Sequence, residues 1–98
     1  MKAATVRTNF KATDVIQALA KISNPERAES SARFFKTKKG EYGYGDVFLG
    51  IPVPEQRRIA REFKTLSLPE TLKLLHSKIH EERLVALLCL VQQFEGGD

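Results

Sequence analysis

Arg57, Arg61 and Lys64 are spaced i, i+4, i+7 and fall within about 60° of arc on a helix, with Arg58 beside them. Ile59, Ala60, Phe63 and Leu66 lie on the opposite side, so such a helix can bury one face and present cations on the other. A row of cations suits phosphates spaced along a nucleic acid, because each neutralised phosphate releases condensed counterions. The guanidinium adds a fork of donors that fits phosphate oxygens. A solvated helix face balanced by Glu55 and Glu62 explains the same residues, and both readings stand at this level. A second cationic cluster, Lys36, Lys38 and Lys39, precedes a glycine-rich stretch. Ammonium groups and loop amides there could hold a phosphate, but a structural loop pinned by Tyr42 and Tyr44 is the favoured reading. Gly40-x-x-Gly43-x-Gly45 is no dinucleotide fingerprint: no strand precedes it, and no Gly-Lys-Ser/Thr follows.

Other reactive side chains form no constellation. His76 and His80 are four apart with Glu81 adjacent, but a zinc-binding His-Glu-x-x-His helix needs its second histidine where Leu84 stands. The pair also straddles a helix break expected at Ser77. Polar contacts at helix ends are the expected role, and no metal site is assigned. Cys89 lies in an apolar run and is expected to be an inert buried thiol. No nucleophile–base pair and no paired carboxylates occur as a motif, so no catalytic residue and no cofactor are assigned.

The elements that must position these residues read as helices. The first is expected from Thr13 or Asp14 to Ile22, with Val15, Leu19 and Ile22 on one face. Asn24-Pro25-Glu26 starts a second: an Asn cap, a proline where a missing N–H costs nothing, and an acid at the positive end of the dipole. It carries Ala28, Ala32 and Phe35 on one face and is expected to end near Lys36. Residues 37–52 form a glycine-rich loop whose anchors are Tyr42, Tyr44, Phe48, Leu49 and Ile51. The third helix follows from Val53 to Thr65. Ser67-Leu68-Pro69-Glu70 predicts a capping box opening a fourth helix that buries Leu68, Leu72 and Leu75. The fifth begins between Ser77 and His80, continues to Phe94 or Glu95, and stops at Gly96-Gly97. Successive helices joined by short turns predict an all-α architecture, an α-solenoid of antiparallel helix pairs, over one segment spanning 1–98.

The fifth helix is apolar all round its wheel from Leu84 to Val91, so it expects neighbours on every side. Four preceding helices cover one side. The expectation is a chain truncated from a longer solenoid, or a homo-oligomer joined through Leu84 to Phe94. With 98 residues, 42% apolar, the composition is that of an ordinary globular chain. Its net charge of +4 favours anionic partners. A single cysteine excludes an intramolecular disulfide and fits a reducing cytoplasm. No apolar run approaches the ~20 residues of a membrane span, and no signal-peptide pattern opens the chain.

Two blocks carry a family resemblance. The loop from Phe34 to Pro54, with Gly45-Asp46-Val47-Phe48-Leu49-Gly50-Ile51-Pro52 at its end, closely resembles that of the DNA alkylation repair (AlkD-like) family. Leu74-Leu75-His76-Ser77-Lys78-Ile79-His80-Glu81-Glu82-Arg83-Leu84 resembles the same family's junction between two later helices. The resemblance covers Asn24 to Asp98 and more loosely the first helix. It implies a HEAT-like superhelix with a basic concave surface that grips duplex DNA. It also implies release of alkylated purines by cleavage of the N-glycosidic bond, a carboxylate stabilising the cationic sugar. The family's catalytic aspartate lies downstream in a segment with tryptophans, and this chain has no tryptophan. The chain is therefore expected to be the N-terminal portion of an alkylpurine DNA glycosylase, supplying scaffold and contacts to the DNA backbone and inactive alone. The alternative is a non-catalytic HEAT-like module that self-associates or binds a protein partner.

Overall fold

A computed structural model describes residues 9–34 and 45–96, and within them five helices follow one another. They are α1 (Ala12–Lys21), α2 (Pro25–Phe34), α3 (Val53–Glu62), α4 (Leu68–Leu75) and α5 (His80–Gly96). The all-α class is as expected, and the succession is compatible with a solenoid of helix pairs. Helix α5 packs against α3 and α4, and α1 lies against all three. Their shared core holds Val15 and Leu19 of α1, Ile59 and Ala60 of α3, Leu74 of α4, and Val85, Ala86 and Cys89 of α5. Ala12 at the start of α1, Ile51 just before α3, and Phe63 and Leu66 in the turn after α3 complete it. Each such aliphatic or aromatic side chain contributes roughly 1.5–3 kcal/mol by leaving water.

Helix α1 starts earlier than its sequence suggests. The Lys11 N–H donates to the Asp14 carboxylate at 2.8 Å, so Asp14 serves the first turn from within the helix and does not open it. The expected face of α1 holds: Val15 and Leu19 are buried and Ile22 packs beside them.

Helix α2 begins at Pro25, and Asn24 Oδ1 accepts from the Arg27 N–H at 3.0 Å, the expected cap. Of its expected face, Ala28 and Ala32 are half-buried, and among the described residues α2 packs against no other helix. Phe35 and the predicted end at Lys36 lie outside the described residues.

Helix α3 stops at Glu62, short of Thr65, because Phe63 leaves helical geometry and the chain turns toward α4. In α4 the capping box is half realised. Ser67 Oγ accepts from the Glu70 N–H at 3.4 Å, but the Glu70 carboxylate reaches across to the Ala12 N–H of α1 at 2.7 Å. The expected buried leucines are also displaced. Leu68 and Leu72 are exposed and Leu75 is half-buried, whereas Thr71 and Leu74 face the core. Thr71 can be buried because its hydroxyl donates to the Ser67 carbonyl at 2.8 Å.

Candidate nucleic-acid interface

The predicted division of α3 is realised. Gln56, Ile59, Ala60 and, just beyond the helix, Phe63 and Leu66 are buried, while Arg57, Arg58 and Arg61 are exposed. Lys64 is exposed too, but it stands in the turn after α3, so the row is two helical arginines continued by a turn lysine. Arg58 is committed to Glu55, with Nε and the second guanidinium nitrogen each 3.0 Å from the same carboxylate oxygen. Among the described residues the side chains of Arg57, Arg61 and Lys64 have no ion pair, and within this row they are the cations free to meet an anion. Lys36, Lys38 and Lys39 lie outside the described residues.

Helix α5 fixes the end of this row. Gln92 donates to the Ala60 carbonyl at 2.9 Å, and Gln93 to the Lys64 and Leu66 carbonyls at 3.0 and 2.7 Å. Carbonyls that the end of a helix leaves without partners are thus satisfied from outside. Phe10 meets Phe63 edge to face, ring centroids 4.7 Å apart, and anchors the same turn. Between α3 and α5 runs a groove of about 220 Å³ in which Arg57 and Arg61 stand above Leu88 and Val91.

The two sequence blocks that carry the family resemblance meet in space. Val47 and Ile79 form a parallel bridge: the Val47 N–H donates to the Lys78 carbonyl at 3.0 Å, and the His80 N–H to the Val47 carbonyl at 2.8 Å. The Glu81 carboxylate, 2% exposed as a residue, accepts from three successive amides: Leu49 and Gly50 at 2.9 Å and Ile51 at 3.3 Å. Arg83 donates to Asp46 and to the Ser77 carbonyl, both at 2.9 Å. Gly50 has φ +79°, and a Cβ there would lie 2.1 Å from the Asn24 carbonyl oxygen and 2.5 Å from the Ala28 nitrogen. Glycine is required for both reasons. Of the expected loop anchors, Phe48 and Ile51 are buried and Leu49 is half-buried, while Tyr42 and Tyr44 lie outside the described residues.

Glu81 and Glu82 are buried, at 2% and 3% exposure. Their place in the first turn of α5 is legible, but nothing local to them reveals which loop folds over that turn. The histidines divide as expected: His76 caps the end of α4, and His80 opens α5 with its ring 4.8 Å from that of Phe48. Cys89 is buried with Sγ 3.8 Å from the Ala60 and Phe63 carbonyl oxygens, and burial pushes its thiol up to about 11. It is an inert core group at neutral pH.

The described residues form a helical scaffold with a cationic face on α3 and a loop clamped by a buried carboxylate. The sequence profile described as DNA alkylation repair enzyme matches residues 15–98, and the chain belongs to that family. The match extends through most of α1, further than the two blocks alone imply. No curated protein and no solved structure matches the chain.

Proposed function

We propose that this chain is a DNA-gripping scaffold of a DNA alkylation repair protein, holding the duplex by its phosphates and supplying no catalytic group. The observation that carries the reading is the unpaired set Arg57, Arg61 and Lys64 on an exposed face, in a chain of a DNA-repair family. Three cations spaced over roughly 10 Å of helix and turn suit consecutive phosphates, and contacts of this kind position a protein without reading sequence. Arg58, held by Glu55, joins only by giving up that pair. Lys36, Lys38 and Lys39 add to the net positive charge that favours a polyanion. The catalytic carboxylate belongs to a segment with tryptophans that these residues do not include, so hydrolysis of an alkylated duplex by the 98 residues alone is expected to be undetectable.

Fluorescence anisotropy of a labelled duplex at rising salt tests the grip. The expected result is affinity that falls steeply with salt, and a slope of log K against log salt shallower by about 2 in Arg57→Ala/Arg61→Ala. Absence of binding even at low salt would sink the reading.

A further inference from the structure

Between α2 and the first turns of α3 and α5 lies a cleft of about 250 Å³. Arg27 on α2, Gln56 on α3 and Glu81 on α5 line it, together with the apolar side chains of Phe48, Val53 and Leu84. Gln56 is 3% exposed; its Nε2 donates to the Ile51 carbonyl at 2.7 Å, but its Oε1 has no hydrogen-bond partner. Glu81 receives one amide on Oε1 and two on Oε2. A carboxylate has about four lone-pair sites, so one on Oε1 remains unused. Both groups therefore take a donor. Arg27 is exposed and has no ion pair among the described residues, so it takes an anion. A buried acceptor left unpaired costs the desolvation of that group. One water relieves it, yet the cleft has room for about eight at ~30 Å³ each. A single water does not account for that size, nor for the apolar lining.

We propose that this cleft binds a small zwitterion with an apolar body, of the chemical class of a free aliphatic amino acid. Its ammonium group donates to Gln56 Oε1 and to the unused site on Glu81, and its carboxylate meets Arg27. Its side chain lies against Phe48, Val53 and Leu84. A purely anionic ligand would be repelled by the Glu81 carboxylate, and a purely cationic one would leave Arg27 without a partner. Pockets for drug-sized ligands begin at about 300 Å³, so the smaller cleft suits an amino acid. Apolar walls with a few convergent polar groups are the usual make-up of such a site. The cleft shares no residue with the row Arg57, Arg61 and Lys64, so this inference stands apart from the phosphate reading.

The test is amide chemical-shift perturbation in NMR spectra of the isotope-labelled full chain, with three probes. L-Leucine is expected to shift the amides of Leu49, Gly50, Ile51 and Gln56, approaching saturation by about 10 mM for a Kd of about 1 mM or tighter. N-Acetyl-L-leucine lacks the ammonium group and L-leucinamide lacks the carboxylate. Each is expected to bind at least about tenfold more weakly, a difference of about 1.4 kcal/mol. Arg27→Ala, at an exposed position, is expected to reduce leucine to the affinity of leucinamide. Arg57→Ala/Arg61→Ala is expected to leave leucine binding unchanged. No shift with about 10 mM leucine would overturn the proposal. So would equal affinity for the three probes, since apolar filling alone would then explain it, and so would a leucine affinity that Arg27→Ala does not alter.

Discussion

The Glu70 carboxylate accepts from the Ala12 N–H at 2.7 Å and from Lys73 Nζ at 2.9 Å, tying the start of α1 to α4. The Ala12 N–H chiefly, and Lys73 next, hold its pKa below the ordinary 4.5. A carboxyl whose folded pKa is depressed contributes stability above its unfolded value and loses it as pH falls through the folded one. Glu70→Gln is therefore expected to lower Tm at neutral pH. The gap from the parent should be constant down to about the ordinary 4.5 and narrow below it. Thermal melts of both proteins from pH 7 to 3 check this, and a gap that is the same throughout would show that the charge of Glu70 does not matter. Glu70 also shows where local reading stops. The motif Ser67-x-x-Glu70 fixes the helix start correctly, yet the acid has a better donor in α1, 58 residues away.

At the scale of elements, the segment 46–51 is held by the first turn of α5 and by Ile51, which packs into the helical core, and not by a sheet. Three amides converge on one buried carboxylate, with Arg83–Asp46 and the Val47–Ile79 bridge at its edge. Hydrogen bonds to a charged acceptor are worth more than neutral ones, and a buried amide left unpaired costs the full desolvation of the group. Glu81→Gln keeps the shape but turns an NH₂ toward at least one of these N–H donors. It is expected to lower stability by about 2 kcal/mol, read by urea denaturation. The exposed Glu55→Gln should cost a few tenths. Five helices and most of their starts were legible because caps, prolines and apolar spacing are local signals. The cationic face of α3 was legible for the same reason. What was not legible is what depends on partners distant in sequence. Leu68 and Leu72 have the right spacing for a buried face, but the position of α5 turns Thr71 and Leu74 inward. Glu81 looks like any first-turn acid until the loop arrives.

At the scale of the whole molecule, α2 has a different standing from the other four helices. Helices α1, α3, α4 and α5 share one core, whereas among the described residues α2 packs against none of them. It is joined through Asn24, whose N–H donates to the Leu49 carbonyl at 2.7 Å, and through the close approach of Gly50 to Ala28. Leu49 and Gly50 are in turn held by Glu81. Helix α2 therefore depends on the clamp, and the clamp depends on α5, but the core depends on neither to the same degree. Local stability follows buried apolar contact, so cooperative units with little of it open at lower free energy. Native-state hydrogen exchange is expected to show the α2 amides from Glu29 to Phe34 opening well below the global free energy, and those of Val85 and Cys89 only near it. Glu81→Gln should speed exchange in α2 more than in α4. Equal acceleration in both would mean that the clamp is part of the core and that α2 does not open as a separate unit.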